Sequence, residues 1–286
     1  MHPCSSPSVP SFRGRIRERI AQVGSSLCVG ADPHMDKLPK FFAHCVATEG
    51  TEAFLMRFSQ TLVEASAGQV AAIKFQSAFY EAHGALGFAV LTRALALARA
   101  HGLITILDAK RGDIASTMAA YGQMAFDTMA ADALTIMPYM GMDSVAPLLP
   151  WLTKGHGVYV VWISSNPSGA LIQDAAAEPL LDALFEYVSE AGVSDALGLV
   201  LGATKVEPLP LALLQRLRLT SLLMPGIGAQ GGMVTARIRE LIASTGTVLV
   251  PQSRSLTAYP EGVSSWAQYQ DVVSLRIQEA KLQLHP

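Results

Sequence analysis

An abrupt change from apolar to charged residues marks the stretch 103–113, LITILDAKRGD. Its first part, residues 103–107, has the β-branched, apolar composition of a buried strand. Four ionisable residues, Asp108, Lys110, Arg111 and Asp113, follow within six positions. Because isolated charges are costly to bury, such a cluster directly after a strand indicates a site at the strand end.

Seven other short apolar runs have the same character. Together they predict eight strands, at 26–31, 70–75, 103–107, 133–137, 158–163, 197–202, 221–224 and 247–250. Segments with helical spacing lie between or after them, at 52–66, 86–100, 116–130, about 180–191, 207–217, 233–242 and within 258–285. Alternating strands and helices predict a parallel sheet. Eight such units favour a closed α/β barrel, the (β/α)8 or TIM-barrel fold, over an open doubly wound sheet.

The 286 residues contain no composition shift or linker that would divide the chain. We therefore expect a single barrel domain over residues 1–286, in which residues 1–20 form a leader and the first helix. The net charge of −2 gives no field suited to nucleic acid or to an anionic membrane surface. No uncharged stretch approaches the length of a membrane span, and the three cysteines form no CxxC pair. These features favour a cytoplasmic protein.

Charged residues also end other predicted strands. Asp32 follows the first strand, Lys74 ends the second, and Arg254 follows the eighth. Parallel strands of a barrel present their carboxyl ends on one face, so these side chains should meet there. Asp108 and Lys110 are two residues apart and would share a face if the strand pleat continues. A solvated cluster of salt bridges at a strand end remains the alternative explanation.

The glycine-rich stretch 225–232, PGIGAQGG, has the GxGxxG spacing of a dinucleotide-binding loop. Too little chain follows it for the remaining strand–helix units of such a domain, and the expected ribose-binding acid is absent. In a barrel the same residues, including Gly228, would form a phosphate cup of backbone N–H groups, completed by Arg254. No histidine or cysteine spacing indicates a metal site, and no GxSxG motif is present.

The stretch 108–114, DAKRGDI, with Thr117 four residues beyond Asp113, resembles the signature of orotidine 5′-monophosphate decarboxylases of the longer bacterial branch, type 2. The similarity extends roughly from residue 27 to 256, through VGADP (29–33), IKFQ (73–76), SSNP (164–167), PGIGAQGG (225–232) and Arg254. One departure is Ser253, where glycine is expected in many relatives.

The resemblance implies a cofactor-free and metal-free TIM-barrel lyase that converts orotidine 5′-monophosphate (OMP) to uridine 5′-monophosphate (UMP) in pyrimidine biosynthesis. It implies that Lys110 protonates carbon 6 and that Asp108 lies against the substrate carboxylate. Lys74 and Asp32 would hold ribose hydroxyls and complete the charge network.

The resemblance also implies the remaining contacts. Ser165 would hydrogen-bond the pyrimidine, and Gln230 and Arg254 would bind the phosphate. Asp113 and Thr117 would reach into the site of a partner subunit, which implies a homodimer.

Two alternatives remain at this point. A related barrel acting on a sugar phosphate, such as 3-keto-gulonate 6-phosphate decarboxylase or hexulose phosphate synthase, has a similar D-x-K-x-x-D motif but depends on magnesium. Lys74 and the 165–167 loop suit a pyrimidine better. A catalytically silent, nucleotide-binding barrel is the second alternative.

Overall fold

Eight parallel strands pair in chain order and close into a barrel, with β8 beside β1. The computed structural model describes residues 10–227 and 232–284. The strands are β1 (Leu27–Ala31), β2 (Ala72–Gln76), β3 (Ile104–Arg111), β4 (Ala133–Ile136), β5 (Gly157–Ile163), β6 (Leu197–Leu201), β7 (Ser221–Leu223) and β8 (Val248–Gln252). The predicted (β/α)8 fold and all eight predicted strand positions are thus confirmed.

Helices connect the strands and cover the outside of the barrel. They are α1 (Phe12–Val23), α2 (Lys40–Ser66), α3 (Ala78–Glu81), α4 (Gly84–Ala100), α5 (Ala115–Gly122), α6 (Leu149–Leu152), α7 (Ala170–Glu190), α8 (Leu211–Leu217), α9 (Ala236–Thr245), α10 (Arg254–Thr257) and α11 (Trp266–Leu284). A π-helical turn, Gln123–Thr128, extends α5. None of these described helices has both the length and the apolar character that a membrane span requires.

Two helices are longer than the sequence pattern predicts. Helix α2 begins at Lys40, twelve residues before its predicted start. Gly50, with φ of 86°, interrupts its helical backbone, so the spacing of apolar residues is not continuous along the helix. Helix α7 begins at Ala170, and its first two turns are largely exposed. A helix segment that buries no apolar face leaves no periodic signal in the sequence.

The strands alternate between an outer and an inner set of side chains. On β1, Leu27 and Val29 belong to the core between strands and helices, whereas Cys28 belongs to the core inside the barrel. On β2, Ala72 is in the inner set. The same alternation places Lys74, two residues further along, on the inside. The strand pleat therefore carries apolar residues in the middle of the barrel and charged residues at its carboxyl end.

Helix α1 closes the opposite end of the barrel. Phe12 and Ile16 are buried in the inner core, and the ring of Phe12 meets that of Tyr159 edge to face, with centroids 5.8 Å apart. Arg15 forms an ion pair with Asp132, at 2.6 Å between Nη1 and Oδ1. Asp132 in turn accepts hydrogen bonds from the backbone N–H and the hydroxyl of Thr105. This end of the barrel is therefore filled and anchored.

Candidate active site

A cavity of about 470 Å³ opens at the carboxyl ends of the strands. Six of the residues predicted from the sequence line it: Asp32, Lys74, Asp108, Lys110, Ser165 and Arg254. Apolar residues of β5 to β8, including Val161, Val200, Leu223 and Pro251, form its floor and wall. A cavity that combines an apolar wall with a few convergent charged groups is typical of a small-molecule site.

Asp108 is the centre of a charge network in this cavity. Its Oδ1 lies 2.6 Å from Lys110 Nζ, and its Oδ2 lies 2.9 Å from Lys74 Nζ. Gln76 Nε2 donates to the same Oδ2 at 3.2 Å. Asp32 Oδ1 lies 3.9 Å from Lys74 Nζ, and no described group forms a hydrogen bond to this buried oxygen. The network therefore alternates in charge, from Asp32 through Lys74 and Asp108 to Lys110.

The two lysines differ in exposure. The side chain of Lys74 is 9% exposed, whereas that of Lys110 is 44% exposed and reaches the cavity. Both ammonium groups bind Asp108, but only Lys110 presents a large part of its surface to an incoming molecule. Lys74 is thus placed to anchor the carboxylate, and Lys110 to contact a substrate.

Burial and ion pairing act in opposite directions on this network. Burial alone would raise the pKa of Asp108, but Lys74 and Lys110 outweigh it and hold that pKa well below its usual range. Burial alone would lower the pKa of Lys74, but Asp108 and then Asp32 raise it above its usual value. Below them, burial raises the pKa of the Cys28 thiol to about 12, so Cys28 adds no charge near neutral pH. Asp108 and Lys74 therefore both stay charged at neutral pH.

The end of β3 brings Asp108 and Lys110 together, although not through a regular pleat. The strand continues to Arg111, four residues beyond its predicted end at 107, and its register against β4 shifts between Leu107 and Arg111. Lys110 has a left-handed backbone, with φ of 47°. A Cβ on the following Gly112 would lie 2.9 Å from the carbonyl oxygen of Met137, so this close approach of the backbone requires glycine.

Three residues of the site were not among the predicted site residues. Gln76 binds Asp108, and Thr135 on β4 bonds to both Asp108 and Lys110. His34 lines the cavity and packs edge to face on Phe79, with centroids 4.5 Å apart. Gln76 and His34 lie just after predicted strands, and this position could have indicated that they belong to the site. Thr135 lies inside an apolar run, where a β-branched residue indicates only a strand.

Two further predicted residues line the cavity at the carboxyl ends of β5 and β8. Ser165 lines it in the loop after β5, and Arg254 stands exposed after β8, where no described carboxylate forms an ion pair with it. Ser253 fits against β1 because Gly30 has no side chain; a Cβ there would lie 2.8 Å from that of Ser253. Gly228 and Gln230 lie outside the described residues.

Asp113 and Thr117 do not line the cavity of their own chain. The carboxylate of Asp113 accepts a hydrogen bond from the N–H of Ile114, and Thr117 is exposed on α5. Large apolar side chains are exposed around them, after the neighbouring strands β3 and β4: Ile114, Met137, Tyr139 and Met140. Within one chain, Lys74 lies near the carboxylates of Asp108 and Asp32, and Asp113 forms no ion pair with the described residues.

The fold and the site define a class of protein: a (β/α)8 barrel with a fixed array of alternating charges at the carboxyl ends of its strands. Residues 25–269 match the model of the orotidine 5′-phosphate decarboxylase / HUMPS family. The chain belongs to this family.

Similar proteins agree with this assignment. The chain is 37% identical to the orotidine 5′-phosphate decarboxylase of Thermomicrobium roseum over 276 residues, 94% of each chain. It is 36% identical to that of Herpetosiphon aurantiacus, over 90% of this chain and 92% of the relative. The solved OMP decarboxylase of Leishmania donovani superimposes with a TM-score of 0.68 at 26% identity, over 95% of this chain and 99% of that chain.

Proposed function

We propose that the chain decarboxylates OMP to UMP, with Lys110 as the proton donor. The family and its curated relatives support this reaction, a step of pyrimidine biosynthesis. The position of Lys110 carries the mechanistic part of the proposal: its ammonium is held 2.6 Å from Asp108 and faces the cavity. The reaction needs neither a cofactor nor a metal in this proposal.

The chemistry requires a fixed cation beside carbon 6 of the pyrimidine. Departure of carbon dioxide breaks a carbon–carbon bond and leaves the electron pair on carbon 6, where no carbonyl group can delocalise it. Lys110 would stabilise that charge and then transfer a proton to carbon 6, and the resulting amine would recover a proton from water. Asp108, held ionised by Lys74 and Lys110, would lie against the substrate carboxylate and raise the energy of the bound substrate.

The rest of the cavity would bind the nucleotide. Asp32 lines the cavity, where its carboxylate would accept a hydrogen bond from a ribose hydroxyl, and Lys74 lies beside it. In this proposal Ser165, which lines the cavity, binds the pyrimidine, and Arg254 binds the phosphate together with Gly228 and Gln230, which lie outside the described residues. Phosphate contacts are remote from carbon 6, so their binding energy can be used to orient the base and exclude water.

The active form would be a homodimer with shared sites. Asp113 and Thr117 lie outside their own cavity, among exposed apolar side chains of which Tyr139 is 82% exposed. A two-fold axis at this surface would bury those side chains and carry Asp113 and Thr117 toward the partner's network. We also propose that residues 1–286 form one barrel domain, and that it works in the cytoplasm, where a pyrimidine biosynthesis enzyme would be expected.

Arg254 gives the first mutational test. Arg254→Ala would remove a forked cationic donor to the phosphate, worth about 1.5–3 kcal/mol for a charged hydrogen bond, so we expect KM for OMP to rise about 10- to 100-fold. Steady-state kinetics measure this. Arg239→Ala, at an exposed position on α9, is the matched control and should leave KM unchanged. An unchanged KM in Arg254→Ala would remove Arg254 from the phosphate site.

The reaction itself can be tested by the change in ultraviolet absorbance of OMP with purified protein, in excess chelator and without added cofactor. We expect complete conversion to UMP. The rival within the same family model, a HUMPS-type enzyme, would instead act on a sugar phosphate and need magnesium. No turnover of OMP by folded protein, together with magnesium-dependent turnover of hexulose 6-phosphate, would replace the proposed reaction.

A further inference from the structure

Thr135 lies behind the charge network, on β4, and does not line the cavity. Its side chain is fully buried. Its hydroxyl bonds to two parts of the network at once: the backbone N–H of Lys110, at 2.9 Å, and Oδ1 of Asp108, at 3.0 Å. One hydroxyl thus joins the proton donor of the proposed reaction to its charge partner.

The direction of these two hydrogen bonds is fixed by chemistry. A backbone N–H can only donate, so the hydroxyl oxygen accepts from Lys110. Lys74 and Lys110 outweigh the effect of burial and keep the pKa of Asp108 low; its ionised carboxylate can only accept, so the hydroxyl proton points to Oδ1. The Thr135 oxygen therefore accepts one hydrogen bond and its proton is donated to the other partner, so a single orientation of the hydroxyl makes both bonds.

The hydroxyl also occupies a gap in the strand pairing. Leu107 pairs with Leu134, and Arg111 pairs with Ile136, so residues 108–110 of β3 face Thr135 alone. Lys110 adopts its left-handed backbone, with φ of 47°, within this gap. L-residues with side chains rarely adopt that conformation, and it persists only where surrounding contacts hold it. The bond from Lys110 N–H to Thr135 is such a contact.

We propose that Thr135 is a positioning residue for the decarboxylation: its hydroxyl holds Asp108 and the backbone of Lys110 in the geometry that sets the Lys110 ammonium on Asp108 Oδ1. The inference rests on the proposed function of Lys110. Asp108 Oδ1 has two donors, Lys110 Nζ and the Thr135 hydroxyl. Without the hydroxyl, the partly buried Lys110 N–H loses its acceptor, and Asp108 loses the contact that fixes its rotation on the β4 side.

Because Thr135 is outside the cavity, its loss should affect the chemical step and spare substrate binding. A displacement of a reacting group by about 1 Å can cost about 100-fold in rate. For Thr135→Val, which keeps the side-chain shape and removes the hydroxyl, we expect kcat to fall about 100-fold while KM stays within about threefold. Thr135→Ser, which keeps the hydroxyl, should retain kcat within about threefold.

The chain contains a matched control for this experiment. Thr105 on β3 is also fully buried, and its hydroxyl makes the same two kinds of hydrogen bond. It accepts from the backbone N–H of Asp132 at 3.0 Å and donates to Asp132 Oδ2 at 2.8 Å. These hydrogen bonds lie at the end of the barrel that α1 closes. Thr105→Val should lower the melting temperature about as much as Thr135→Val but leave kcat within about twofold.

The experiment measures kcat, KM and melting temperature for the wild type and the three variants on OMP. Loss of kcat in Thr135→Val alone, with rescue by serine, supports positioning. Wild-type kcat in Thr135→Val, or equal losses in Thr135→Val and Thr135→Ser, would overturn it. A similar fall in kcat in Thr105→Val would also overturn it, because general destabilisation would then suffice.

A second measurement does not depend on activity. In a crystal structure of Thr135→Val, or of Thr135→Ala if the valine variant is insoluble, we expect the Lys110 Nζ to Asp108 Oδ1 distance to exceed 4 Å. An unchanged distance of about 2.6 Å would overturn the inference. If the wild type does not act on OMP, the proposed function fails, and this distance alone decides whether the hydroxyl positions the pair.

Discussion

Lys110→Ala should abolish decarboxylation, with kcat/KM for OMP reduced at least about 10⁴-fold. In the proposed mechanism the change removes both the cation beside carbon 6 and the proton that carbon 6 receives, and each type of contribution is typically worth about 10² to 10⁴ in rate. The fold should survive, because Lys74 still neutralises Asp108 through its contact at 2.9 Å. The ultraviolet assay measures turnover, and circular dichroism measures folding.

Two comparisons make this result specific. Lys154→Ala, at an exposed position beyond α6, removes the same charge far from the cavity and should leave turnover unchanged. UMP should still bind to the Lys110→Ala protein, because the contacts proposed for phosphate and ribose remain. Turnover by Lys110→Ala within about tenfold of the wild type would contradict the assignment of the proton donor.

Mixing two inactive variants should restore activity if the sites are shared. Asp113→Ala keeps Lys110, and Lys110→Ala keeps Asp113, so a hybrid dimer contains one complete site and one doubly altered site. Random exchange of equal amounts makes half of the dimers hybrid, and half of the sites in each hybrid are intact, so activity should recover to about a quarter of wild type. Each variant alone should remain inactive.

Subunit exchange must be demonstrated independently, for example with a tagged copy of one variant. If Asp113 served the site of its own chain, neither subunit of a hybrid would contain a complete site. Exchange without any recovery would therefore contradict the shared site, while leaving the assignment of Lys110 intact.

The fold was predictable because a parallel barrel has a strong local signal. Its strands are buried on both faces and appear as short apolar runs, and charged residues at their ends mark the open face. In this way the apolar runs identified three members of the network, because charged residues lie at the ends of these runs: Asp32, Lys74 and Asp108. The sequence did not predict features that leave no local pattern, such as the exposed first turns of α7.

The site was predictable only in part, for the same reason. Thr135 is a β-branched residue in a buried strand, and its importance depends on the register shift of the neighbouring strand, which no local pattern records. The fit of Ser253 against Gly30 depends on two residues 223 positions apart in a chain of 286. These are consequences of tertiary geometry.

The closure of one barrel end by α1 separates the two tasks of the molecule. Phe12 and the Arg15–Asp132 pair hold the end that contains no charge network, so changes there should alter how long the protein survives and not how fast it works. Loops and side chains at the open end can change without disturbing the contacts of Phe12, Arg15 and Asp132 at the closed end. A lineage could thus adapt to heat at one end of the barrel while refining its chemistry at the other.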